Sequence, residues 1–180
     1  MGFIRTVIFV LIILIAALGV YIYSGNYNIA ATEPHSLVVE WVFDTAKKYS
    51  IKKHSEGIER PKLNDDSLVK SGFEHYNDMC AGCHGTPGTE PAKGFNPSPP
   101  NLSEEVEEFS ATELFWVTKN GIKMTAMPAF GLSHSDQEIW SIVAFLKQLP
   151  DLSAEDYKAL KNNDSFDFDI PPEDEEYYKY

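Results

Sequence analysis

The sequence predicts an all-α protein in which a single N-terminal transmembrane helix precedes a helical domain. Three observations favour this fold class. No charged residue occurs from Val7 to Tyr23. Ser-x-x-Glu capping boxes beginning at Ser110 and Ser135 each open a helical pattern of apolar residues. No convincing strand pattern follows the first segment. With 43% hydrophobic and 23% charged residues among 180, the chain can build a core.

The N-terminal apolar segment is long enough to cross a membrane. Extended back past Arg5 to Phe3, it covers 21 residues up to Tyr23, and about 20 are needed to span a bilayer. Arg5 favours a cytoplasmic N-terminus. A cleaved signal peptide is the alternative, but its apolar region is typically about 7–15 residues long. We therefore expect residues 1–25 to be an uncleaved anchor.

Residues 26–63 are predicted to form a connecting segment. Five apolar residues of this segment can share one helical face: Leu37, Val38, Trp41, Val42 and Tyr49. The C-terminal part of the segment also holds a basic cluster of Lys47, Lys48, Lys52, Lys53 and His54. We interpret this segment as a helix that packs on its own domain or lies at the lipid headgroups, and a docking helix for a membrane partner is the alternative. We expect a linker over residues 50–66.

Residues 64–150 contain the strongest helical patterns. They predict a helix from Ser67 to Met79, a long loop over residues 85–109, a helix from Ser110 to a C-cap at Gly121, and a helix from Ser135 to Pro150. Residues 151–180 are expected to form a short helix and an acidic, flexible tail.

The charge distribution argues against nucleic acid as a partner. The formal net charge is −12, whereas binding to nucleic acid depends on Lys and Arg against phosphates. Residues 1–63 hold seven basic and five acidic groups, whereas residues 64–150 hold five and twelve. The connecting segment and the helical domain therefore face different surroundings.

Both cysteines lie in Cys80-Ala-Gly-Cys83-His84, the C-x-x-C-H pattern of covalent haem attachment. The spacing puts the cysteines about one helical turn apart, so each can add to one vinyl group of the same porphyrin, and His84 follows as an axial ligand. A zinc site would need further ligands at a second spacing. A thioredoxin-like pair would need a βαβ setting, and a plain disulfide would leave His84 unexplained.

A second axial ligand to iron is expected from a methionine downstream. Pro128 follows Met127 and fixes an extended backbone there. Met127 also lies 43 residues after His84, and a His/Met pair is the ligand set of cytochromes c. We therefore predict His84 and Met127 as the metal ligands and Met124 as a core residue.

Several motifs together give residues 67–149 a resemblance to class I monohaem cytochromes c: the helix before C-x-x-C-H, Pro-Pro-Asn-Leu, the Met-Thr-Ala-Met-Pro-Ala-Phe strap and the closing Ile-Trp-x-Ile-Val-Ala-Phe-Leu helix. The resemblance implies one covalent haem c, with Pro100 and Asn101 among the cofactor-binding residues. It implies that a carbonyl around residues 99–101 accepts a hydrogen bond from the ring of His84. It also implies that Gly72 and Tyr76 lie where the first helix crosses the last, near Trp140.

These observations predict an electron-transfer protein and not an enzyme. With both axial positions filled, the iron has no open site for a substrate. Since c-type haem is attached outside the cytoplasm, we expect a periplasmic domain on the bacterial cytoplasmic membrane that relays single electrons between respiratory complexes. One alternative is a fixed haem subunit of a quinol-oxidising complex, a terminal oxidase or a nitrogen-oxide reductase. The other is a ligand-binding haem sensor.

Overall fold

A computed structural model describes residues 2–162, 168 and 170, and these residues form helices and turns without a strand. The all-α prediction is therefore confirmed. The helices are α1 (Gly2–Tyr23), α2 (Leu37–Ser55), α3 (Asp66–His75), α4 (Ala81–His84), α5 (Leu102–Glu105), α6 (Ala111–Asn120), α7 (Asp136–Gln148) and α8 (Ala154–Lys161). Single turns lie at Tyr76–Cys80, which is π-helical, and at Val106–Glu108, Phe130–Leu132 and Leu149–Asp151, which are 3₁₀.

The chain divides into two compact units, Met1–Pro34 and His35–Tyr180. In the first unit, α1 has 22 residues, none of them buried, and it is long and apolar enough to cross a membrane. At a rise of 1.5 Å per residue such a helix is about 33 Å long, which matches the thickness of a bilayer core. The helix is consistent with membrane anchoring.

The second unit is organised by the crossing of α3 and α7. A Cβ added to Gly72 would overlap the carbonyl oxygen of Ser141 and would lie 2.9 Å from Phe145 Cβ. The crossing therefore lies at Ser141 and Phe145, slightly further along α7 than the predicted contact at Trp140. Trp140 instead stacks on Phe115 of α6, with 4.2 Å between ring centroids.

Aromatic side chains fill the space beside this crossing. Phe73 and Tyr76 lie 5.5 and 5.3 Å from Phe145, measured between ring centroids. Tyr157 of α8 completes the cluster at 5.3 Å from Phe73, and its side chain is buried. The core thus extends beyond residues 64–150, because α8 supplies part of it.

Phe168 belongs to the segment that was expected to be a flexible tail. Its ring lies 6.5 Å from that of Phe145, and both Phe168 and Ile170 pack against the core. Contact with an apolar surface explains why these two residues differ from the prediction. The rest of that tail lies outside the described residues.

The predicted linker over residues 50–66 is wrong in its first part, because α2 continues to Ser55. Ile51 and Ser55 are buried, and the ring of His54 stacks on Trp116 of α6 at 5.4 Å. These contacts keep the last turns of α2 helical. The C-terminal half of α2 therefore packs on its own domain, which is one of the two placements that our interpretation of this segment allows.

Helix ends in the second unit follow the capping chemistry of the sequence. Both predicted capping boxes form, at Ser110 with Glu113 and at Ser135 with Glu138. Asn101 caps α5 by accepting a hydrogen bond from the Ser103 backbone. The prediction of an unbroken loop over residues 85–109 is therefore wrong, since this cap allows a short helix within it.

Lys147 in the last turn of α7 is a buried cation. Its side chain is 6% exposed, and its Nζ donates a hydrogen bond to the carbonyl oxygen of Phe109 at 2.9 Å. Burial lowers the pKa of Lys147 to about 8, although Glu107 and Glu113 act in the opposite direction. Lys147 thus anchors the turn before α6. Burial of its charge opposes folding, and this cost falls as the side chain loses its proton.

We predict that Gly72→Ala destabilises the protein by about 3 kcal/mol, because the added methyl group must push α3 and α7 apart. Guanidinium unfolding of the haem-loaded chain measures the change. Lys70→Ala, an exposed position on the same helix, should stay within about 0.5 kcal/mol. An equal loss in both variants would contradict a close helix crossing.

A second prediction concerns the pH dependence that Lys147 causes. Between about pH 8 and the ordinary lysine value of 10.5, the unfolded chain binds more protons at this side chain than the folded chain. The free energy of unfolding should therefore rise with pH in that window. Lys147→Met should remove a rise on the order of 2 kcal/mol, whereas Lys158→Met, at an exposed position, should keep it. Parallel stability curves for the two variants would contradict this account.

Candidate haem-binding site

The C-x-x-C-H segment lies on the π-helical turn Tyr76–Cys80 and the short helix α4 that follows it. Cys80 is buried, Cys83 is half-buried, and neither forms a disulfide. The Tyr76 hydroxyl donates a hydrogen bond to the Gly85 carbonyl oxygen at 2.8 Å. The end of α4 is therefore tied to the α3–α7 crossing.

His84 is oriented by one backbone carbonyl. Its Nδ1 lies 3.0 Å from the carbonyl oxygen of Pro100, and because a carbonyl only accepts, Nδ1 carries the proton. The other nitrogen, Nε2, keeps a lone pair that can bind a metal ion. Burial lowers the pKa of His84, against opposing effects of the Pro100 carbonyl and Glu105. The expected hydrogen bond to the 99–101 segment is confirmed, with Pro100 as the acceptor.

Asn101 supports the segment that holds this carbonyl. Its side chain accepts from the Ser103 backbone at 3.2 Å, and its backbone N–H donates to Glu105 Oε1 at 3.1 Å. Asn101 therefore fixes the turn that presents Pro100 to His84. Its place among the cofactor-binding residues remains a prediction.

Met127 lies on a closed strap that begins at Gly121. The backbone N–H of Ile122 donates to the Met127 carbonyl oxygen at 3.2 Å. Thr125 braces the strap from within, because its Oγ1 accepts from Met127 N at 3.1 Å and donates to the Ile122 carbonyl oxygen at 2.8 Å. The half-buried Met127 is thus held by backbone and hydroxyl hydrogen bonds on both sides.

Gly121 makes the close path of the strap possible. Its φ is +65°, and an added Cβ would lie 2.7 Å from the Met127 carbonyl oxygen. Only glycine combines this backbone conformation with that approach at low cost. The predicted C-cap of α6 therefore also shapes the strap.

The prediction that Met124 fills the core is wrong. Met124 is 76% exposed, with a φ of +61°. It occupies the third position of a turn whose Thr125 N–H donates to the Ile122 carbonyl oxygen at 3.2 Å, and a positive φ at this position is found in type II and type I′ turns. The turn therefore directs Met124 away from the domain.

The alternatives for the two cysteines find no support in the described part of the chain. It contains no group of three or more His, Cys, Asp or Glu side chains that could hold a metal ion, and no strand for a βαβ unit. Burial raises the pKa of Cys80 to about 12, with a smaller effect of Cys83. A protonated Cys80 is a poor zinc ligand and a poor redox nucleophile.

Two supporting side chains were not predicted from the sequence as parts of the site. The hydroxyl of Thr125, two residues before Met127, is a local signal of the kind that forms Ser/Thr turns. The bond from Tyr76 to Gly85 spans nine residues and has no local signal. The role of Thr125 could therefore have been found from the sequence, whereas that of Tyr76 depends on tertiary structure.

Residues 67–146 match the family described as cytochrome c oxidase, cbb3-type, subunit III. The matched segment runs from the start of α3 almost to the end of α7 and includes both the attachment motif and the strap. No curated protein and no solved structure matches the chain.

This chain therefore carries a class I c-type cytochrome domain, whose cofactor is covalent haem c. The residues present fit that group. Two reduced cysteines have the spacing for thioether bonds, and the Pro100 carbonyl leaves Nε2 of His84 available to iron. The domain is an electron-transfer domain that follows an apolar helix consistent with a membrane anchor.

We predict that Gly121→Ala destabilises the haem-loaded protein by roughly 2–4 kcal/mol, because strain at positive φ adds to overlap with the strap. Gly57→Ala is the matched control, since Gly57 has a φ of +77° and no atom within 4 Å of an added Cβ. It should lose only the strain contribution of about 1 kcal/mol. Equal losses in thermal unfolding would show that the strap does not press on Gly121.

Proposed function

We propose that this protein is a one-electron carrier on the extracytoplasmic face of a bacterial cytoplasmic membrane, with His84 and Met127 as the axial ligands of its haem. The observation that carries the proposal is the hydrogen bond from His84 Nδ1 to Pro100 O at 3.0 Å. It fixes the imidazole in the tautomer that binds iron, directly after the two attachment cysteines.

Each residue of the proposed site has a separate task. Cys80 and Cys83 would hold the porphyrin and His84 would bind iron through Nε2, while the Pro100 carbonyl keeps the histidine in place. Met127 would supply a thioether sulfur from a strap that Thr125 braces. When bound, haem c supplies a one-electron Fe(III)/Fe(II) couple, and a His/Met ligand set raises its potential. Because His84 and Met127 would supply the remaining ligands to iron, no ligand position would be open to a substrate, which favours electron transfer over catalysis.

The proposed location follows from α1 and from the chemistry of attachment. Arg5 favours a cytoplasmic N-terminus, so residues after α1 lie outside the cytoplasm, where c-type haem is attached. An uncleaved anchor keeps the carrier at a high effective concentration near redox partners in the same membrane. Those partners are proposed to be respiratory complexes.

A second candidate is a fixed haem subunit of a larger membrane oxidoreductase. The match to a family described as a cytochrome c oxidase subunit favours this candidate, and quinol-oxidising complexes and nitrogen-oxide reductases are further possibilities of the same kind. In such a complex the haem domain would exchange electrons with one permanent neighbour.

Extraction of native membranes with a gentle detergent, followed by size separation, distinguishes the two candidates. A carrier should separate from every complex, and after reduction it should be oxidised again by added native membranes. Stoichiometric co-purification with one complex would contradict the carrier and support the subunit. Absence of any electron exchange with native membranes would contradict both.

We predict that Met127→Ala loses the thioether-to-iron absorption band at the red end of the ferric spectrum. Met124→Ala should keep that band, because the Met124 side chain points into solvent. Both variants shorten a methionine of the same strap to alanine, so each is the control for the other. A band that survives Met127→Ala and vanishes in Met124→Ala would show that Met124 is the ligand.

A further inference from the structure

Helix α2 carries an exposed apolar stripe on its N-terminal part. The stripe consists of Leu37, Val38, Trp41, Val42 and Tyr49. At 100° per residue these five side chains fall within an arc of about 140°. Leu37 is 84% exposed and Trp41 is 67% exposed, so the described chain leaves the stripe uncovered.

The opposite side of α2 is already in use. His54 falls about 170° from the middle of the arc and stacks on Trp116, so this side of α2 faces α6. The buried Ile51 lies about 40° outside the arc, and the buried Ser55 lies at its edge in the last turn of the helix. The acidic residues Glu40 and Asp44 also lie outside the arc of the stripe. Docking of α2 on the domain therefore fixes the direction in which the stripe points.

Lysines extend the same face toward the C-terminal end of α2. Residues 47–53 contain four lysines and no acidic residue, in a chain whose formal net charge is −12. Lys47 pairs with Asp44 and Lys53 with Glu56, whereas Lys48 and Lys52 fall within the arc of the stripe and are exposed. The face thus joins aromatic and aliphatic side chains to positive charge, which is the composition that anionic phospholipid surfaces bind.

We propose that the α2 stripe lies in the headgroup layer of the membrane that α1 enters, where Lys48 and Lys52 bind anionic phospholipid. The inference relies on the membrane anchoring that is part of the proposed function. Thirteen residues separate Tyr23 from Leu37, so even a fully extended linker reaches no further than about 45 Å. Trp41 and Tyr49 are of the types enriched at membrane interfaces, and the tether keeps the lipid surface at a high effective concentration.

Such a contact has a consequence for electron transfer. Because α2 is packed on α6, a membrane-bound stripe holds the haem domain at the surface instead of letting it move over the full length of the linker. The domain would then exchange electrons with partners that present their redox groups close to the bilayer.

Spin labelling of the haem-loaded full chain tests the proposal. The chain is placed as a single copy in nanodiscs of phosphatidylcholine and phosphatidylglycerol. Both native cysteines are consumed by haem, so Val38→Cys on the stripe or Glu40→Cys on the other side provides the only free thiol. The measurement compares label collisions with oxygen, which partitions into lipid, and with a water-soluble nickel chelate.

We expect a several-fold higher ratio of oxygen to nickel collisions for the label at position 38 than for the label at position 40. Adding Lys48→Glu and Lys52→Glu should abolish most of this difference, because the positive charges are then replaced by negative ones. Equal aqueous exposure at positions 38 and 40 would overturn the proposal. So would protection that appears only when a disc holds two copies, which would identify a second chain as the occupant.

The outcome can be separated from a failure of the proposed function. The collision ratio does not depend on electron exchange, so an exposed stripe in a protein that still exchanges electrons would overturn only the membrane contact. A protected stripe in a protein that exchanges no electrons would overturn both candidate functions and leave the membrane contact in place.

Discussion

The close crossing of α3 and α7 at Gly72 is the constraint on which the rest of the haem domain depends. Without a side chain at Gly72, the two helices approach until its Cα faces the backbone of Ser141. That approach brings Tyr76 against Phe145 and directs the Tyr76 hydroxyl to Gly85. The attachment helix α4 is consequently fixed by tertiary packing, although it is only four residues long.

Backbone groups position both of the proposed axial ligands. A carbonyl orients His84, and that carbonyl is itself held by the Asn101 cap. The Met127 strap is closed by its own backbone and by Thr125. Since backbone geometry depends on glycine, proline and capping residues more than on bulky side chains, a small domain can present these ligands with few dedicated residues.

Local chemistry made much of this structure predictable from the sequence. The capping boxes, the membrane-length helix, the cysteine pair and the proline after Met127 act through neighbours in the chain, and the helices follow these signals. The errors arose where tertiary contacts decide the outcome. Contact with α6 extends α2 to Ser55, and the turn at Thr125 turns Met124 outward. Tyr157 is buried against the rings of Phe73 in α3, Tyr76 in the π-helical turn and Phe145 in α7. No local sequence pattern indicates these contacts.

The central claim is that this domain holds its haem iron between His84 and Met127. X-ray absorption at the iron edge of the haem-loaded full chain tests the claim directly, because sulfur and nitrogen neighbours scatter differently. The thioether sulfurs of Cys80 and Cys83 bond to the porphyrin and not to iron, so any sulfur bound to iron comes from a methionine. The account predicts one sulfur neighbour together with five nitrogens. A shell of nitrogens alone, whether five or six, would contradict it.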